Sequence, residues 1–119
     1  MERWSIEITK EYLKFSAAHF LIFPDGKAER LHGHNYRVSV EVGGTLTEHG
    51  LVIDFKEVKP RIRALVDAWD EHWLVPGEHP ELKVRQVDGD HTEVTYRECT
   101  YRVPSKDVLV LPLNNTSTE

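Results

Sequence analysis

The chain has 119 residues, 39% hydrophobic and 29% charged, which fits one globular domain over 1–119 with a modest core and no disulfide staples. A formal net charge of −5 argues against a nucleic-acid groove or an anionic membrane surface as partner. The single Cys99 can form neither an internal disulfide nor a cysteine-type metal site. With no signal-peptide-like start and no apolar run long enough to span a bilayer, a protein of the reducing cytoplasm is expected.

Trp4, Ile6 and Ile8 alternate with Ser5, Glu7 and Thr9, the period-two pattern of a half-buried strand. Leu13, Phe15, Ala17 and His19 continue it in the opposite phase, which predicts a bulge near residues 10–12. Residues 21–30, with Pro24-Asp25-Gly26, read as a loop. In the next strand His32, His34, Tyr36, Val38, Val40 and Val42 share one face, and Gly43-Gly44 ends it. Asp54-Phe55-Lys56-Glu57 has the spacing of a capping box, and Val58, Ile62, Leu65 and Trp69 follow at helical intervals. Pro60 is expected either to start the regular helix or to kink its first turns. Residues 82–87 and 92–96 flank Asp88-Gly89-Asp90 as a hairpin, charged on both faces and so expected at an edge or protruding. Residues 108–113 form a last apolar run. This order predicts an α+β domain built on an antiparallel sheet.

His32 and His34 stand two apart on a strand, so their imidazoles leave the same face side by side, a natural chelate for Zn²⁺. His19 ends the preceding strand, and antiparallel pairing would bring it opposite them. Three such ligands leave a fourth tetrahedral position open, as in catalytic sites. Solvated or hydrogen-bonded histidines fit the same spacing, so the pattern alone leaves both readings standing.

The strings Phe15-Ser16-Ala17-Ala18-His19, Leu31-His32-Gly33-His34-Asn35-Tyr36 and Gly50-Leu51-Val52-Ile53-Asp54-Phe55 resemble the 6-pyruvoyl-tetrahydropterin synthase family, which includes 6-carboxytetrahydropterin synthase of the queuosine route. Asn115-Thr116-Ser117-Thr118-Glu119 resembles the family segment before its last helix. The resemblance implies a tetrahydropterin-synthase T-fold, an antiparallel sheet with helices on one face. It also implies zinc on His19, His32 and His34, a pterin substrate, and homo-oligomers, trimers or hexamers, with sites at subunit interfaces.

Three departures bear on function. Relatives that eliminate triphosphate carry a catalytic cysteine where this chain has Ala28. Glu29 follows, as in a branch in which a glutamate replaces the cysteine and the dihydroneopterin side chain is cleaved to 6-hydroxymethyl-dihydropterin for folate synthesis. From the residues alone, Glu29 equally suits a solvated loop position paired with Arg30 or Lys27. The family's Asp-His relay meets Asp70-Glu71-His72 here: an ungapped match selects Glu71, a one-residue slide selects His72, and Asp70 with His72 is the assignment made. Relatives also continue beyond this point with a helix and a strand bearing a pterin-anchoring glutamate, which leaves Ser117 and Thr118 as expected ring contacts. The implied activity is a zinc-dependent pterin lyase acting on dihydroneopterin or its triphosphate. The alternative is a zinc-holding, catalytically silent relative that serves binding or assembly. Cys99 is expected to be a buried small hydrophobe, His49, His79 and His91 solvated turn residues, and Trp4, Trp69 and Trp73 core or interface anchors.

Overall fold

In the computed structural model, which describes residues 2–118, the two alternating segments become long strands, β1 (Trp4–His19) and β2 (His32–Gly44). They are followed by α1 (Phe55–Trp69), β3 (His72–Pro76), β4 (Leu82–Val87), β5 (His91–Tyr96), β6 (Cys99–Pro104), a 3-10 turn at Ser105–Asp107 and β7 (Val108–Leu111). One sheet has the order β2-β1-β3-β7 and the other β4-β5-β6. This is the expected α+β class, with a single helix among the described residues. Two compact units emerge: the chain up to Phe15 with Asn35–Asp70, and Ser16–His34 with the chain from Glu71 onward.

In the first unit β1 and β2 run antiparallel. An added Cβ on Gly43 would lie 3.7 Å from the Trp4 carbonyl oxygen, the Thr9 and Ser39 hydroxyls are 2.9 Å apart, and Arg37 pairs with Glu11 at 3.6 Å. Burial along β1 switches phase between Ile8 and Leu13, as the sequence alternation predicts. Both residues pack with Val66 of α1, and Val58, Ile62, Val38 and Val40 border them. The apolar stripe of the helix is therefore Val58, Ile62 and Val66, four apart. Leu65, expected on that face, is 61% exposed. Asp54 caps the helix by accepting from the Lys56 amide at 2.9 Å. Pro60 lies inside α1 and does not start it, because the helix begins five residues earlier at the capped end.

The core of the second unit is Phe20, Ile22, Trp73, Val75, Leu82, Val94 and Tyr96. Of the hairpin expected at an edge or protruding, β4 does lie at the edge of its sheet, while β5 supplies the central wall of this core. Thr92, Val94 and Tyr96 of β5 are buried, while Arg85 and Glu93 pair at 3.1 Å on the other face. The sequence reading gave β5 one partner; β6 is its second, with Thr92↔Val103 and Val94↔Tyr101 in register. The turn into that strand carries no sequence signal, because Arg97 takes φ 54°, a conformation usually marked by glycine. Cys99, beside this turn, is exposed and not buried as expected. His91 opens β5, and half-buried His79 packs on the Tyr96 ring at 5.8 Å, so neither is a freely solvated turn residue. Trp73 is a core anchor, whereas Trp4 is half exposed.

Antiparallel pairing dominates as expected, in β1–β2 and throughout β4-β5-β6, and β3 alone runs parallel to its neighbours β1 and β7. Parallel neighbours require long crossovers, and the intervening helix and three-stranded sheet provide the chain length. Among the described residues no helix is long and apolar enough to cross a membrane.

Candidate functional site

Three histidines meet in the second unit because two strand patterns converge there. β1 ends at His19, which is buried, and β2 begins with His32 and His34. Gly33 lets the backbones approach closely, since an added Cβ would sit 3.3 Å from the Ala17 carbonyl oxygen. Ring centroids are 4.8 Å apart for His19 and His32, 5.0 Å for His19 and His34, and 4.7 Å for His32 and His34. Their ligand atoms all lie within 4.8 Å of one another.

Backbone carbonyls fix two of the tautomers. His19 Nδ1 bonds the Thr116 carbonyl, and His32 Nδ1 bonds the Arg30 carbonyl at 2.6 Å. A carbonyl only accepts, so each Nδ1 carries a proton, and in the neutral ring that leaves the lone pair on Nε2. His19 Nε2 is buried with no hydrogen-bond partner. A buried acceptor without a donor is costly, and here it faces a cluster of further imidazoles. Trp73 Nε1, the other such atom among the described residues, is a donor and cannot ligate a metal. Three ring nitrogens, two of them oriented through Nδ1–H···O=C bonds, could hold a metal ion, and such carbonyl bonds are what orients histidine ligands in metal sites.

The loop between the two strands is built around Glu29. Ile22 and Ala28 form an antiparallel bridge, flanked by Glu29 N–H to the Leu21 carbonyl at 2.9 Å and Phe23 N–H to the Lys27 carbonyl at 2.8 Å. Glu29 Oε1 accepts from the Leu21 amide at 3.0 Å. The carboxylate is thus held two residues beyond His19, and the expected alternative of a solvated pairing with Arg30 or Lys27 is not what forms.

The relay candidates separate by backbone position. Asp70 closes α1 in the first unit, its N–H on the Val66 carbonyl at 3.0 Å. Glu71 takes a left-handed conformation at φ 57°, is exposed, and gives its N–H to the Ser16 carbonyl at 2.6 Å. His72 opens β3 in register with Ala17, which by strand alternation puts it on the face of Ala17 and His19. Of the expected ring contacts, Ser117 is half-buried and Thr118 exposed. The buried residue of that segment is Thr116, whose Oγ1 donates to the Leu74 carbonyl at 3.2 Å while its own carbonyl takes the His19 ring. Sequence reasoning missed Thr116 and Asn115 as site-building residues, because their contribution is a carbonyl and a side-chain amide reaching far back along the chain.

An α+β chain carrying a three-histidine centre on adjoining strands, with a carboxylate in the intervening loop, belongs to a recognisable class. The family model for 6-pyruvoyl tetrahydropterin synthase matches residues 7–118, and the chain belongs to this family. A probable 6-carboxy-5,6,7,8-tetrahydropterin synthase of Halobacterium salinarum is 38% identical over 86 residues, covering 72% of this chain and 55% of the relative. A Pyrococcus abyssi protein named as a putative enzyme of the same kind is 32% identical over 112 residues, covering 93% and 64%. The chain therefore spans less than two thirds of the length of these curated relatives. The crystal structure of 6-pyruvoyl tetrahydropterin synthase from Plasmodium vivax superposes with a TM-score of 0.88 at 31% identity, covering all of this chain and 72% of that one. The same Plasmodium protein has been solved as variants in which a catalytic glutamate is replaced by alanine or by cysteine.

Proposed function

We propose that this chain is a zinc-dependent pterin lyase that acts on dihydroneopterin or its triphosphate, with Glu29 in the place of the usual cysteine. The observation that carries the reading is the buried, partnerless Nε2 of His19 among three imidazoles, with the Glu29 carboxylate anchored on the amide of Leu21, two residues after His19. His19, His32 and His34 hold the zinc, which when bound supplies a Lewis acid for oxyanion charge developing beside the reacting carbon. The Thr116 and Arg30 carbonyls keep two of the ligand nitrogens facing inward. Glu29 Oε1 is committed to the Leu21 amide, so Oε2 takes the proton from substrate. His72 returns a proton, and Ser117 and Thr118 border the pterin ring. The catalytic glutamate of the Plasmodium enzyme supports this role for Glu29. Glu29 in the cysteine's place favours side-chain cleavage to 6-hydroxymethyl-dihydropterin.

A second reading has its own support: the curated relatives are named 6-carboxytetrahydropterin synthases, which favours that reaction for the same site. The protein works in the cytoplasm as a homo-oligomer, trimer or hexamer, whose assembly covers open sheet edges. Metal analysis of protein purified without chelator is expected to give about one zinc per chain, lost in the His19/His32/His34 triple alanine variant. Zinc-loaded protein is then given each pterin and the product identified. Full zinc retention by the triple variant refutes the metal site. Full zinc with both pterins unchanged refutes the lyase and favours a binding or assembly protein.

A further inference from the structure

Ile22 sits between the two halves of the site, three residues after His19 and next to Leu21, whose amide holds Glu29. Its bridge to Ala28 is of the kind in which the flanking residues make the hydrogen bonds: Glu29 N–H reaches the Leu21 carbonyl and Phe23 N–H the Lys27 carbonyl. Alternating backbone groups point to opposite sides of an extended chain, so the N–H and C=O of Ile22 face away from that bridge. Both are taken by one side chain. Ile22 N–H donates to Asn115 Oδ1 at 3.0 Å, and Asn115 Nδ2 donates to the Ile22 carbonyl at 2.9 Å. The amide thus occupies the position of a neighbouring strand, and only the carboxamide of Asn or Gln sets an N–H donor beside a carbonyl acceptor as a peptide group does. The next residue, Thr116, gives its carbonyl to the His19 ring and anchors its own hydroxyl on the Leu74 carbonyl at 3.2 Å. Two successive residues therefore hold both ends of the stretch from His19 to Ile22.

We infer that Asn115 is a positioning residue for the proposed reaction: its side-chain amide fixes the Leu21–Ile22 backbone on which the Glu29 carboxylate rests, in register with the histidine site. Asn115 touches neither metal nor substrate in this role. The inference rests on the functional reading above for its effect on turnover, but the clamp itself is read by amide exchange, whether or not turnover exists.

The experiment compares Asn115→Leu, which removes donor and acceptor, with Asn115→Asp, which keeps only the acceptor, and with Asn114→Ala at the exposed neighbour as control. Residue-resolved hydrogen exchange is measured on zinc-loaded full chain. In Asn115→Leu the Leu21 and Ile22 amides are expected to exchange about 5–150-fold faster, the equivalent of one lost buried hydrogen bond. In Asn115→Asp the Ile22 amide stays protected. Zinc affinity should move by less than about tenfold, because His19 keeps its Thr116 carbonyl. Where the wild type turns over a pterin, kcat falls up to about 10²-fold at unchanged KM, while Asn114→Ala behaves as wild type. Unchanged exchange at Leu21 and Ile22 in Asn115→Leu overturns the clamp. If Asn115→Leu does not fold, loss of Ile22 protection in Asn115→Asp overturns it instead. Faster exchange with kcat intact overturns the positioning role and leaves Glu29's own assignment to its own variants. A wild type without turnover refutes the lyase reading, and with it the catalytic half of this inference, while exchange still decides the clamp.

Discussion

Replacing Glu29 by two different residues separates its two duties. Glu29 Oε1 accepts the Leu21 amide at 3.0 Å, and the remaining oxygen is assigned the substrate proton. Glu29→Gln keeps a carbonyl oxygen for the amide and removes the base. The loop, the zinc content and the melting temperature should persist, while turnover falls about 10²–10⁴-fold, a barrier increase of about 3–5 kcal/mol. Glu29→Ala removes the acceptor as well. Leu21 is half-buried, so its orphaned N–H should cost about 1 kcal/mol, the low end for an unsatisfied donor. For a domain of this size that corresponds to a melting point lower by about 3–6 °C. The assays are steady-state turnover of the accepted pterin, metal analysis, and thermal denaturation by circular dichroism. Full turnover in Glu29→Gln would refute the base assignment. Equal melting points for the Gln and Ala variants would refute the anchoring of the loop by this carboxylate.

Glu71 holds φ at 57° without the freedom of glycine, so Glu71→Gly should raise stability by up to about 1 kcal/mol and leave turnover intact, whereas His72→Gln should lower turnover; the reverse pattern in kinetics would move the relay to Glu71. Phe20 is 2% exposed in the second core, and Phe20→Ala should cost about 3–5 kcal/mol in urea unfolding; a loss below about 1 kcal/mol would contradict that packing. The Arg97 guanidinium, bonded to Glu81 at 2.8 Å, holds that carboxyl below its ordinary value of 4.5. With the folded pKa below the unfolded one, the pair's contribution is present above pH 4.5 and lost as pH falls through the folded value. Glu81→Gln should therefore flatten the acid limb of the melting curve, slightly and only at low salt because the pair is exposed; an unchanged limb would show that the pair contributes nothing.

Local signals determined much of this protein. The two-residue spacing of His32 and His34, the phase reversal in β1 and the Asp54 cap are properties of neighbouring residues, and each appears in the structure where the sequence puts it. The ordered motifs around His19 and the His-Gly-His pair likewise placed the chain in its family, as the match over residues 7–118 bears out. Tertiary structure decided what neighbours cannot encode. Leu65 and Val66 are equally apolar, and only the packing of α1 against Ile8 and Leu13 buries the second. The charged hairpin became a core wall because β6 pairs along the second edge of β5 and the Phe20–Trp73 cluster covers one face, leaving the Arg85–Glu93 ion pair on the other. The tautomer of His19 depends on a carbonyl 97 residues away, and the loop carrying Glu29 on an amide 93 residues from Ile22. Such contacts leave no periodicity in the sequence, since a backbone carbonyl is common to every residue and only the fold brings the right one to the ring.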